Sequence, residues 1–120
     1  MSSAGEGSRE WRFYVADMLE FADKVRTYTS GMDQATFVNE AIIYDATLRN
    51  LELIGEAATH IPSAIRDQHP EIPWRAIIAA RNRLAHSYLS VDNDLIWNII
   101  QDDVPKLLPA LRGLLDTSRT

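Results

Sequence analysis

Apolar residues recur along this chain at intervals of three and four, the repeat of a helix with one face turned inward. In residues 9–29 the stripe is Trp11, Val15, Met18, Ala22 and Val25, widened by Tyr14 and Phe21, with Arg9, Glu10, Arg12, Asp17, Glu20 and Lys24 elsewhere on the surface. Gly31 is a stop signal, and Asp33 is placed to cap a short turn over 33–37. A second long helix is predicted from Val38 to His60, carrying Ile42, Leu48, Leu51, Ile54, Gly55 and Ala58, with Pro62 ending it. "SAIRDQHPEIP" reads as one helical turn and a Pro-flanked link. Pro73 then opens a third helix that reaches His86, with Trp74, Ile77, Ile78, Leu84 and Ala85 as its apolar positions. Asp92 caps the last helix, whose apolar positions run from Leu95, Ile96, Ile99, Ile100 and Val104 to Leu107, Leu108, Leu111, Leu114 and Leu115. Pro105 and Pro109 interrupt its backbone, so a kinked or two-part helix is predicted. Nothing alternates at period two. The predicted fold class is all-α: a compact bundle of four main helices plus short helical turns over residues 9–116, with a disordered tail over 1–8 and a C-terminal tail over 117–120.

Composition narrows the chemistry. At 120 residues and 46% apolar, the chain suffices for one domain with a single core. It has no cysteine, which removes disulfides, thiolate metal ligands and a Cys nucleophile together, and fits a reducing, cytoplasmic location. A formal charge of −5 argues against a broad electrostatic grip on nucleic acid, so any RNA must meet a local positive site. No apolar run approaches the roughly 20 residues of a bilayer span, and "MSSAGEGS" lacks the pattern of a signal peptide, so no membrane role is expected. The glycines are scattered and build no phosphate-cradling loop.

One stretch departs from this plain picture. "AARNRLAHSYLS", Ala79 to Ser90, gathers two Arg, an Asn, a His and a Tyr at the end of the third helix. Asn82 and His86 are i,i+4 neighbours on one face, whereas Arg81 and His86 lie about 140° apart around the axis. Two chains with these helices facing across a two-fold axis could close both groups over one phosphate more easily than one chain could. The chemistry that uses such a set is RNA transesterification, in which a base takes the 2′-OH proton and a cation stabilises charge on the phosphorane. Histidine suits the proton work because its ordinary pKa of about 6.5 lies near operating pH. Arginine suits the phosphate because its guanidinium is planar, bidentate and permanently charged. An ordinary helix end, where cations complement the dipole, accounts for the same residues taken singly. Composition and spacing leave the choice open.

Other candidates are weaker. Asp45, Arg49, Glu52 and Glu56 form one line along the second helix; such rows are more often solvated faces than metal sites, and no ligand spacing emerges, so no metal is expected. Asp45 or Glu52 could instead support the cleft by anchoring Arg81. His60, at a helix end, and His69, before a Pro, read as surface residues, and Trp74 and Trp97 as core or interface anchors.

"RNRLAHSY" fits an Arg-x-x-x-x-His-x-Tyr pattern with Arg81, His86 and Tyr88 as fixed points and Asn82 after the Arg. With "RNLELIGEAA" before it, "PEIPWRAIIAARNRLAH" leading in and "DLIWNIIQDDVPKL" after, the chain resembles the HepT group of HEPN-domain toxins over about residues 10–115. The opening "WRFY" is less typical of that group. The resemblance implies a HEPN-like helical bundle that forms a homodimer, with both motif copies lining a shared cleft. It implies a metal-independent endoribonuclease that needs no cofactor, the toxin of a type VII-like toxin–antitoxin pair. It makes Arg81 and His86 catalytic, Asn82 and Tyr88 supporting, and Tyr88 the acceptor of AMP from a nucleotidyltransferase antitoxin. The alternative is a non-catalytic dimeric module that binds a nucleotidyltransferase or a nucleotide.

Overall fold

A computed structural model describes residues 4–86 and 91–117, with side chains from Glu10 to His86 and from Val91 to Asp116. Helix α1 spans Ala4–Thr29 and begins ahead of the start expected at Arg9. The expected stripe is its inner face: Trp11, Val15, Met18, Ala22 and Val25 are all buried. Gly31, at φ +76°, turns the chain after α1, a backbone state open to glycine without strain.

The predicted short turn over 33–37 is a helix that runs two residues further, and the second long helix begins three residues later than expected. Helix α2 covers Gln34–Asn39 and α3 covers Ala41–Ala58, with a corner at Glu40 (φ −95°, ψ 89°). Asp33 caps α2 as expected, accepting a hydrogen bond from the Thr36 N–H at 2.8 Å. Those bonds from Thr36 hold the Asp33 carboxyl below its ordinary range. The corner exists because of Phe37. In one straight helix Phe37 and Tyr44 would be separated by about 10 Å of axial rise. Instead their ring centroids are 5.2 Å apart, Phe37 also meets Trp97 at 5.4 Å, and its side chain is fully buried. The same corner leaves Ile42, expected on the apolar stripe, 86% exposed. Tyr44 donates to Asn93 Oδ1 and so ties α3 to the last segment; burial, and secondarily the charge of Asp45, raises its phenol above the usual tyrosine range.

Helix α4, Ser63–Gln68, is the expected single turn, and α5 runs from Trp74 to His86. The last segment is the two-part helix its prolines predict. Asp92 caps α6, Asn93–Asn98, by accepting from Leu95 N–H at 3.1 Å. A π-helical turn, Ile99–Asp103, then leads into α7, Val104–Thr117. The Val104 N–H reaches back to Ile99 O, a wide turn that ends just before Pro105, so the ring falls in the first turn of α7 where its missing donor is tolerated. Pro109 sits inside α7. Burial of Leu107, Leu108, Leu111 and Leu114 on both sides holds the helix through it.

Helix α3 is central, packed between α1 and α5, while α1 also packs on α7 and the π turn. Helix α5 is secured mainly on its α3 side, and Trp74 is its one buried residue. Its other flank borders an apolar cavity of about 330 Å³ facing α6, the π turn and α7, lined by Leu51, Ile54, Ile77, Leu84, Leu95 and Leu107 among others. No helix among the described residues is long and apolar enough to cross a membrane.

Candidate functional site

The site begins at a glycine. Glycine inside a helix costs about 1 kcal/mol relative to alanine, so a mid-helix glycine generally has a packing reason. Gly55 of α3 has one. A Cβ built there would lie 2.1 Å from Arg81 Cβ, 2.9 Å from Arg81 Cγ and 3.0 Å from the Ile77 carbonyl oxygen. The bare backbone of α3 lets α5 approach closely and gives the stem of Arg81 its seat.

The next residue receives the head of that side chain. Glu56 Oε1 accepts from Arg81 Nη2 at 2.5 Å, and Asn82 Oδ1 accepts from Nη1 at 2.8 Å. The guanidinium is therefore oriented from two sides while the side chain stays 32% exposed, and Glu56 is 46% exposed. The expectation that Asp45 or Glu52 anchors Arg81 is corrected: Glu52 pairs with Arg49 at 3.3 Å, Asp45 is exposed, and Glu56 alone of the row meets α5 at the level of Arg81.

A second imidazole joins this group. His60 Nε2 lies 3.5 Å from Glu56 Oε2, so one carboxylate stands between His60 and Arg81. The His60 ring stacks on Tyr14 of α1, centroids 4.5 Å apart and planes 13° from parallel, which fixes its plane. The Glu56–His60 contact is an i,i+4 pair that spacing could signal, whereas the Tyr14 stack and the Arg81 contact join separate segments and could not be read that way.

His86 is the last residue of α5 and is exposed, as are Asn82 and Arg83. On an ideal helix about 140° of surface separates it from Arg81, so the two side chains leave α5 in different directions. Tyr88, expected as a supporting residue and AMP acceptor, lies outside the described residues. Among the described residues no group of three or more His, Asp and Glu is arranged to hold a metal ion. The expected surface position of His69 is partly met: its ring is mostly covered and lies 3.3 Å from Glu71. Trp74 is a core residue whose indole N–H donates to His69 O, and Trp97 packs partly buried on Phe37.

A family model described as "Ribonuclease HepT-like" matches residues 18–114, a span that holds Gly55, Glu56, His60, Arg81 and His86. This chain belongs to the HepT-like ribonuclease family. It is 37% identical over 99 residues to "Putative RNase MJ1380" of Methanocaldococcus jannaschii, covering 82% of this chain and 91% of that protein. It is 33% identical over 99 residues to "Probable ribonuclease HepT" of Thermococcus cleftensis, covering 82% and 90% respectively. No solved structure matches. The helical bundle is the HEPN-type fold of this HepT-like family, and the all-α prediction holds.

Proposed function

We propose that this protein is a metal-independent endoribonuclease and the toxin of a type VII-like toxin–antitoxin pair, cleaving RNA with Arg81 and His86 at a cleft shared by two copies. The observation that carries the reading is the oriented guanidinium: Arg81 is held by Glu56 and Asn82 on the helix that ends in an exposed His86, in a chain of a ribonuclease family. In the reaction the 2′-OH gives its proton to a base, O2′ bonds to phosphorus, and the P–O5′ bond breaks as O5′ takes up a proton. His86 carries out proton transfer. Arg81 stabilises the negative charge that grows on the phosphoryl oxygens, a role for which a positioned donor is commonly worth about 100- to 1,000-fold. Asn82 supports Arg81 through its side-chain oxygen.

Two copies are part of this proposal because Arg81 and His86 diverge around α5. A homodimer with facing α5 helices brings one copy's Arg81 to the other's His86. Neutralisation follows from AMP transfer onto Tyr88 by a nucleotidyltransferase antitoxin, which adds a phosphate and a bulky nucleotide beside the RNA phosphate site.

One observation favours a second reading. Arg81 is already paired to Glu56 in a chain of net charge −5, which suits a non-catalytic module that docks a nucleotidyltransferase or a nucleotide. RNA cleavage by chelator-treated protein, compared with His86→Ala, separates the two. Cleavage that disappears in the variant supports the nuclease. Equal cleavage by both proteins, or none by wild type, removes His86 catalysis and leaves the module.

A further inference from the structure

We propose that the ring of His60, backed by Tyr14, is a stacking platform for an unpaired base of the RNA strand that meets Arg81. The proposal rests on the RNA reading above and adds to it a subsite for a base. Single-stranded RNA is commonly held on aromatic and imidazole faces, because every base has a flat face to bury whatever its hydrogen-bonding edge.

The His60 ring is placed to be such a face. It lies on the Tyr14 ring with centroids 4.5 Å apart and planes 13° from parallel. Tyr14 is itself partly buried and packed against the core of the bundle, so the lower ring is fixed and steadies the upper one. An imidazole loose in solvent loses rotamer freedom when a base lands on it, and one already held against a second ring loses less. With one face on Tyr14 and the Nε2 edge 3.5 Å from Glu56, a side chain that is still 48% exposed turns its second face to solvent.

The platform also stands at a fitting distance from the cation. The Glu56 carboxylate fills the space between the two groups, touching His60 Nε2 at 3.5 Å and Arg81 Nη2 at 2.5 Å, so those nitrogens are no more than about 8 Å apart. A nucleotide carries its base and its phosphate on opposite sides of a ribose, a separation of the same order. One stretch of strand can therefore lay a base on His60 and a phosphate on Arg81, with the ribose passing over Glu56. Asn82 and Glu56 engage two of the five guanidinium N–H donors among the described residues, and the rest can take a phosphoryl oxygen. The stack needs the plane of the His60 ring and not its charge or its protons.

Binding is measured by fluorescence anisotropy with two labelled hexamers. One is a 2′-O-methyl oligoadenylate, which has no 2′-hydroxyl and cannot be cleaved by transesterification; the other is an abasic chain of the same charge. Wild type is expected to prefer the oligoadenylate by about fivefold or more, the lower end of what one base–aromatic stack contributes. His60→Leu has no flat ring and is expected to lose that preference while binding the abasic chain as wild type does. His60→Phe keeps a flat ring and is expected to retain it. Melting curves followed by CD accompany each variant, and His60→Ser is the second non-planar variant should Leu disturb the fold. No oligoadenylate preference in wild type overturns the proposal, and so does its loss in His60→Phe. A His60→Leu protein that keeps the preference overturns it too, and with a lowered melting temperature assigns the stack to the fold alone. Cleavage of unmodified RNA is read separately: a wild type that shows the preference but cleaves nothing removes the nuclease reading and leaves the platform standing.

Discussion

The contact between Gly55 and Arg81 makes an unusually sharp test, because the same substitution at two glycines should have opposite signs. In Gly55→Ala the new methyl would sit 2.1 Å from Arg81 Cβ and 3.0 Å from the Ile77 carbonyl oxygen. Carbon atoms pack at about 3.6 Å, so α3 and α5 must separate locally by about 1.5 Å. Rotamer changes cannot relieve this, since Arg81 Cβ is fixed to its backbone and the carbonyl is backbone itself. Overpacking of this kind costs about 1–3 kcal/mol, and the backbone clash places Gly55 at the upper end. Replacing a helical glycine by alanine returns about 1 kcal/mol through propensity. The net expectation is a loss of about 2 kcal/mol, with Arg81 carried away from Glu56.

Gly113 of α7 is the control. Nothing among the described residues lies within 4 Å of a Cβ built there, so Gly113→Ala is expected to stabilise the protein by about 0.5–1 kcal/mol. Urea unfolding followed by CD measures both, and RNA cleavage should fall in Gly55→Ala alone. A Gly55→Ala variant as stable as wild type would refute the close approach, and with it the seating of Arg81 on the α3 backbone.

Three further outcomes are expected. The Asp33 carboxyl should titrate below the ordinary aspartate value in an NMR pH series; its cap is fully present above the unfolded value and lost as pH falls through the lower folded one, whereas Asp33→Asn should remove that pH dependence. Mixing inactive Arg81→Ala with inactive His86→Ala should restore about a quarter of wild-type cleavage, since half the dimers become mixed and each mixed dimer has one intact shared site of two; no recovery after verified subunit exchange would place both groups in one chain. Incubation with a partner nucleotidyltransferase and ATP should add AMP to wild type but not to Tyr88→Phe, and intact mass showing equal addition to both would move the acceptor elsewhere.

The parts of the fold that were legible are those where one helix face decides burial. The α1 stripe, the Asp33 and Asp92 caps and the proline-interrupted last helix all follow from local spacing or local hydrogen bonding. The corner at Glu40 was not legible, because Val38, Ile42 and Ile43 continue an apolar pattern straight through it. What breaks the helix is a gain made elsewhere, the burial of Phe37 against Tyr44 and Trp97. The site divides in the same way. Arg81, Asn82 and His86 stand close in sequence and can be recognised together. Glu56 is one of several equivalent carboxylates on α3 until the α3–α5 crossing at Gly55 selects it. His60 has Glu56 as an i,i+4 neighbour, and gains its ring partner only when α1 lays Tyr14 against it.

A carboxylate in contact with the cation proposed to receive a phosphate looks self-defeating, and magnitudes decide that it is not. The Arg81–Glu56 pair is partly exposed, so solvent screens it and its net worth is about 0–1 kcal/mol. A free arginine side chain has about 2 kcal/mol of rotamer entropy to lose on binding, and an arginine already held in place loses less. A phosphodiester competing for the same donors therefore meets a weak partner and an oriented one at once. Glu56 can yield a donor to the phosphate while its other oxygen stays with His60, 3.5 Å away. On this accounting the carboxylate works as a positioner of the guanidinium and the imidazole rather than a lock on either. Glu56→Gln keeps the shape and one acceptor oxygen but loses the charge, so it should weaken RNA cleavage with little change in melting temperature. A large loss of stability in that variant would mean the pair holds α3 to α5, and the positioning argument would fall.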